Sequence, residues 1–146
     1  MKTNALHPRS PRGQSLVEFA ISLTAILILL AGAVDFGIGL FHYIAMRDAA
    51  QEGALFGSMN PGNDDGIRER VANASGGSGL IADLWDNGSG PLDILITYSG
   101  AHCEGETVTV TLTYEYEPNM PFIQIFVGDT IRLRAEVTDT ILTPYC

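Results

Sequence analysis

Two carboxylates bracket an uncharged apolar run near the start of the chain. Glu18 stands immediately before residues 19–34, which contain no charged side chain, and Asp35 follows directly after them. A carboxylate is costly inside a bilayer unless an opposite charge or a hydrogen-bond donor compensates it. The chemistry that these residues indicate is electrostatic pairing, in a segment suited both to a bilayer and to a protein core.

The sequence contains no pattern that is typical of catalysis or metal binding. Its three histidines stand apart, at His7, His42 and His102, and no HExxH, phosphate-loop or Ser-His-Asp pattern includes them. Asp64 and Asp65 lie in "NPGNDDG", which lacks the twelve-residue spacing and the closing glutamate of a calcium loop. The sequence therefore predicts a protein that is not an enzyme and has no cofactor and no metal site.

The charge distribution predicts how the chain lies relative to a membrane. The first twelve residues carry three basic side chains and no acid, whereas residues 44–146 carry five arginines and fifteen acids. Because basic flanks tend to stay cytoplasmic, we expect an inner-membrane protein with a cytoplasmic N-terminus. The span would cover about residues 16–40 and the extracytoplasmic domain residues 58–146. An acidic exterior also argues against nucleic-acid binding, which needs basic patches.

The apolar run is predicted to belong to a longer helix, over residues 14–57. Residues 19–34 cover about 24 Å as a helix, which is shorter than the ~30 Å hydrocarbon core of a bilayer. A membrane span therefore draws Glu18 or Asp35 toward the apolar zone. Farther along, small residues recur at helical spacing and suit close packing against a sheet. They are Ala45, Ala49, Ala50, Gly53 and Ala54. The helix is expected to end near Gly57, before turn residues.

Alternating apolar and polar residues in the C-terminal half predict an antiparallel sheet with one solvated face. The predicted strands are "LDILITY" at 92–98, residues 106–117 and residues 129–142, preceded by a short helix in "DDGIRERVANAS". Between the last two strands, "PNMPFIQIFVG" is interpreted as a loop and short helix that exposes a contact surface. The predicted fold class is α+β, with a long N-terminal helix, hydrophobic in its first half, packed on a small antiparallel sheet.

The two cysteines are predicted to form a disulfide. Cys103 precedes the strand at 106–117, and Cys146 follows the strand at 129–142. If these strands pair antiparallel, the start of the first lies beside the end of the second, in a compartment where disulfides persist. Closing a loop of about 42 residues would add roughly 4 kcal/mol in the chain-entropy model. The alternatives are two free thiols or an intermolecular bridge through Cys146.

The N-terminal segment resembles the TadE-like pilins of the tight-adherence (Tad) pilus system. The features that carry the resemblance are Gly13, Glu18–Phe19, the sequence "DFG" at 35–37 and "AAQEGA" at 49–54. The strand-rich C-terminal part, "TVTVTLTYEYEP" and "TIRLRAEVT", is also similar to that family. The resemblance implies a type IV pilin-like membrane protein.

The resemblance further implies a leader at residues 1–13, which a prepilin peptidase removes by cutting between Gly13 and Gln14. The new α-amino group of Gln14 would pair with Glu18 of a neighbouring subunit. Glu18, Phe19 and Asp35 are then assembly residues. The alternative for Glu18 is that its side chain simply reaches the cytoplasmic interface.

The implied function is structural: a minor pilin or pseudopilin of a Tad-type surface filament, or of its assembly complex, with a role in adhesion. The implied partners are the prepilin peptidase, other Tad pilins or pseudopilins, the assembly machinery and the membrane, in a homo- or hetero-oligomer. The alternative is a single-pass, membrane-anchored binding or sensor module that retains its N-terminus and displays residues 58–146.

Overall fold

The computed structural model describes residues 12–74, 79–120, 124–125 and 127–143. In chain order, the α-helices and strands named for these residues are α1 (Arg12–Met59), α2 (Asp64–Asn73), α3 (Leu80–Trp85), β1 (Leu92–Tyr98), β2 (Thr107–Tyr116) and β3 (Ile131–Thr140). A short 3-10 helix, Asp86–Gly88, follows α3. The long helix packs against a three-stranded antiparallel sheet. The predicted α+β class, with a pilin-like arrangement, is confirmed.

The helix α1 is continuous over 48 residues, or about 72 Å. It is long and apolar enough to cross a membrane, and none of its most apolar eighteen-residue stretch is buried within the chain. The helix continues two residues past the expected end at Gly57, and Asn60 N still donates to Phe56 O at 2.9 Å. It stops before Pro61 because proline has no backbone N–H to continue the ladder.

The second half of α1 supplies one side of the hydrophobic core. Met46, Ala49, Ala50 and Ala54 are almost completely buried against the sheet and α2. Gly53 is required for this approach, because a Cβ atom there would lie 2.5 Å from Val71 Cγ2. The prediction that a stripe of small residues covers the sheet is therefore confirmed.

The sheet supplies the other side of the core, in the order β1-β2-β3. Both pairings are antiparallel, and Leu112 at the centre of β2 is opposite Ile94 on β1 and Ala135 on β3. Val108, Val110 and Leu112 have no exposed surface, as their alternation predicted. The strands β2 and β3 are slightly shorter at both ends than expected.

Two short helices complete the packing: α2 packs against α1, and α3 packs against α2, α1 and β1. The helix α2 begins after Asn63, whose side chain accepts a hydrogen bond from Gly66 N at 3.1 Å. This N-cap satisfies one of the free amides of the first turn. Residues 80–85 form the helix α3, in which Ile81 is completely buried. Burial of this side chain in the core explains why so short a helix persists.

Candidate functional site

The residues predicted for processing and assembly near the N-terminus lie together on the first turns of α1. Gly13, Gln14, Glu18 and Phe19 are all exposed, and Gln14 Nε2 donates to Glu18 Oε1 at 3.0 Å. The Gly13–Gln14 peptide lies within α1, whose described part begins at Arg12. The described residues therefore leave the Glu18 carboxylate accessible to another molecule.

Asp35 has a different environment, because the folded domain covers it. It is only 4% exposed, and its Oδ2 accepts a hydrogen bond from Met120 N at 2.9 Å. The backbone oxygen of Asp35 accepts a hydrogen bond from the Tyr116 hydroxyl at 3.3 Å. A carboxylate in an apolar helix thus has its compensating donor within the same chain.

Two turns farther along α1, His42 packs against two tyrosines of β2. Its ring centroid lies 5.5 Å from those of both Tyr114 and Tyr116, with a T-shaped geometry to Tyr114. Among the described residues, His42 Nδ1 is buried without a hydrogen-bond partner. These aromatic contacts join the middle of α1 to the C-terminal end of β2.

A cavity of about 510 Å³ opens beside Asp35, between α1, β3 and the connection from β2 to β3. We call it the apolar groove, because most of its lining side chains are apolar. Its walls include Gly32, Phe36, Leu40, Tyr116, Val127 and Leu133. The groove lies at the junction between the uncovered half of α1 and the folded domain.

The structure does not bring the two predicted carboxylates into one site. Glu18 and Asp35 are seventeen residues apart on one helix, and therefore about 26 Å apart along its axis. The sequence reasoning missed Tyr116 and Met120 as partners of Asp35, and it missed the groove. The signal that pointed there was the uncharged segment "PNMPFIQIFVG", which was interpreted only as a contact surface.

The predicted disulfide falls partly outside the described residues, because Cys146 is not among them. The antiparallel pairing on which it depends is present: Gly105 N donates to Ile141 O at 3.0 Å, and Ile141 N donates to Glu106 O at 2.8 Å. Cys103 therefore lies close to the chain leaving β3. The bridge itself stays a prediction.

Within the described ranges, no group of three or more His, Cys, Asp or Glu side chains is placed to hold a metal ion.

Comparison with protein families shows that residues 13–55 match the model of the TadE-like proteins. The match contains Gly13, Glu18, Asp35 and most of α1. Comparison with curated proteins and with solved structures gives no match.

Proposed function

Over residues 13–55 this chain is a TadE-like protein, and from that premise we propose that it is a minor pilin or pseudopilin, a structural subunit of a Tad-type filament or its assembly complex. Membership of the family suggests a pilin-like protein associated with the Tad pilus, and this family is generally non-enzymatic. The observation that carries the proposal is the structure of α1, which is uncovered and apolar in one half and packed on a sheet in the other.

An uncovered apolar helix needs another apolar environment. Leu29 and Leu30 are 74% and 58% exposed, and no described part of the folded domain covers them. In our proposal a bilayer covers this half of α1 before assembly, over about residues 16–40. The same surface packs against neighbouring helices after assembly, where Gly32 and Gly37 permit close approach. Both glycines face open space within this chain.

Glu18 is the residue through which we propose that a neighbouring subunit is recognised. Its described hydrogen bond is to the side chain of Gln14 on the same helix, so the carboxylate can accept a stronger partner. Removal of residues 1–13 would create an α-amino group at Gln14. Pairing this cation with Glu18 of the next subunit would compensate two groups that are each costly in lipid. It would also fix the axial position of that subunit.

The experiment that tests the proposed function is a determination of the mature N-terminus. Intact mass and N-terminal sequencing of the protein from cells with an active prepilin peptidase should give Gln14 as the first residue. Gly13→Val should block the cut, because a β-branched side chain would crowd a protease site fitted to glycine. Gly32→Val is the matched control, since a Cβ atom at position 32 meets nothing within 4 Å.

The result also separates this proposal from its alternative. A membrane-anchored binding module would retain Met1 in the same cells, and finding that residue on the mature protein would overturn the assignment as a processed pilin. A mature chain that begins at Gln14 and is recovered with sheared filaments or with other Tad pilins would support it.

A further inference from the structure

We propose that the described part of the connection between β2 and β3 lies in the interfacial region of the bilayer that α1 spans, with Ile125 and Val127 in contact with lipid. The inference concerns the end of the span nearer the folded domain. It rests on the membrane anchoring proposed above and adds a second membrane contact, outside α1. The proposed partner of the surface that contains Ile125 and Val127 is thus the lipid bilayer itself.

Exposed apolar side chains from α1 and from the connection lie at this junction, where Phe36 and Val127 line the same groove. Ile125 and Val127 are 76% and 52% exposed, and Phe36, the residue after Asp35 on α1, is 73% exposed. The chain contains no charged residue from 118 to 128, while Glu117 and Asp129 flank this segment. An exposed apolar surface that continues directly from a membrane helix fits the same apolar environment.

The spacing of the two carboxylates determines the depth at which this surface lies. Glu18 and Asp35 are about 26 Å apart on α1, and a hydrocarbon core of ~30 Å must reach one of them. Asp35 is better suited than Glu18 to lie inside the hydrocarbon core, because the residue is only 4% exposed and its carboxylate accepts a hydrogen bond from Met120 N. We therefore infer that the hydrocarbon boundary lies beyond Asp35, toward Gly39.

Contacts between α1 and β2 bring the connection to that depth. The hydrogen bond from Met120 N to Asp35 fixes the start of the connection beside this turn of α1. One turn later, Tyr116 is close enough that a Cβ atom at Gly39 would lie 3.5 Å from its ring. Tyr43 is 38% exposed at the following turn. Tyrosines at this level are typical of a membrane interface.

The charge of the domain indicates that this contact is apolar and not electrostatic. Residues 44–146 carry five arginines against fifteen acids, so anionic headgroups would repel the domain as a whole. Because salt screens this repulsion, the seating of Ile125 and Val127 in the interface should not weaken as the salt concentration rises. A cationic membrane-binding surface would instead weaken as the salt concentration rises.

The test uses tryptophan reporters in the full chain, reconstituted in vesicles of phosphatidylethanolamine and phosphatidylglycerol. Trp85→Phe removes the single native tryptophan. Ile125→Trp then reports on the connection, and Leu27→Trp reports on the proposed span. Leu142→Trp is the matched control, because Leu142 is 64% exposed and its N–H donates to Ser58 O at the far end of α1. Emission is compared between vesicles with and without brominated acyl chains.

We expect brominated lipids to quench Ile125→Trp and Leu27→Trp, with blue-shifted emission at both low and high salt. Leu142→Trp should stay unquenched by lipid and accessible to aqueous iodide. If Ile125→Trp behaves like Leu142→Trp while Leu27→Trp is quenched, this inference is wrong and the membrane anchor stands. If Leu27→Trp is not quenched, the anchor fails and the inference fails with it.

A second copy of the chain is the competing occupant of this surface. If a second copy covers the surface, Ile125→Trp should be shielded from both iodide and brominated lipid. It should become accessible to these quenchers when the protein is diluted in lipid. That result would overturn contact with lipid. Quenching that is independent of the protein-to-lipid ratio would support it.

Discussion

Glu18 and Asp35 carry the same charge on the same helix but have opposite environments. Glu18 is exposed and bonded to Gln14, whereas Asp35 is buried and bonded to Met120 N in the folded domain. The Asp35 carboxylate has its hydrogen-bond donor within the folded domain of the same chain. The Glu18 carboxylate is exposed and can pair with a group on another molecule. Of the two predicted assembly carboxylates, Glu18 is therefore the better candidate for contact between subunits.

We predict that Glu18→Ala leaves membrane insertion intact or improves it, because the substitution removes a charge that is costly in lipid. The variant should nonetheless be depleted from sheared filaments or from the assembly complex, since the proposed counter-charge is gone. Immunoblots of membrane and filament fractions measure both effects. Asp48→Ala, which removes an exposed acid from the second half of α1, is the control. Normal recovery of Glu18→Ala in filaments would show that the pairing argument is wrong.

At the scale of elements, the junction of α1 with α2 and the sheet depends on two glycines. A Cβ atom at Gly53 would lie 2.5 Å from Val71 Cγ2, and one at Gly57 would lie 2.9 Å from Ile67 Cδ1. Gly53→Ala should therefore lower the free energy of unfolding by about 1–3 kcal/mol, through overpacking. Thermal unfolding of the full chain in detergent, followed by circular dichroism, measures the change.

Gly37→Ala on the same helix is the matched control for this prediction. Nothing lies within 4 Å of a Cβ atom at Gly37, so alanine should be neutral there or raise stability as the better helix former. Equal unfolding temperatures for the two alanine variants would contradict the close approach of α1 to α2.

The connection between α1 and α2 is joined to β1 through one tyrosine. The Tyr98 hydroxyl donates to Asp64 Oδ1 at 2.8 Å and accepts from Gly62 N at 3.2 Å. Burial, together with the hydrogen bond to Asp64, raises the pKa of Tyr98 from 10.0 to about 12. The protonated phenol is thus favoured by the folded state.

The stabilisation by Tyr98 should consequently depend on pH in the alkaline range. It is complete below pH 10.0, and it is lost as the pH rises toward about 12, because the unfolded chain releases this proton first. Urea unfolding of the chain and of Tyr98→Phe across this window should show that the difference between their stabilities shrinks. A difference that stays constant with pH would mean that the hydroxyl is not linked to folding.

At the scale of the whole molecule, the C-terminal chain returns to the end of α1. Leu142 N donates to Ser58 O at 2.9 Å, and the Thr143 hydroxyl donates to Met59 O at 3.2 Å. These bonds position the last described residues beside the loop that contains Cys103. A covalent bridge at this point would close the domain around its three strands.

We therefore keep the prediction that Cys103 and Cys146 form an intramolecular disulfide, although Cys146 lies outside the described residues. Non-reducing peptide mapping after alkylation should recover the two peptides joined. Reduction should lower the free energy of unfolding by roughly 4 kcal/mol in the chain-entropy model, an effect that depends on the length of the closed loop. Recovery of both peptides singly alkylated would rule out the bridge.

The sequence alone determined the long helix, the three strands and the faces that they bury. The long helix predicted over residues 14–57, the stripe at Ala49, Ala50 and Gly53, and the alternating face of β2 all follow from local periodicity. The structure has the helix at Arg12–Met59 and buries the stripe and that face of β2. Periodicity works because a regular backbone places residues of one spacing on one face, whatever the rest of the chain does. The same local information produced the family resemblance over residues 13–55.

Only the tertiary structure decided what Asp35 pairs with. Its partners Tyr116 and Met120 are 81 and 85 residues away along the chain, and neither Met120 N nor the Asp35 backbone oxygen has a side-chain signature. The close approach at Gly53 likewise depends on where Val71 lies in space. Backbone donors are the same at every non-proline residue, so the identity of a buried carboxylate's donor is fixed by packing and not by sequence pattern.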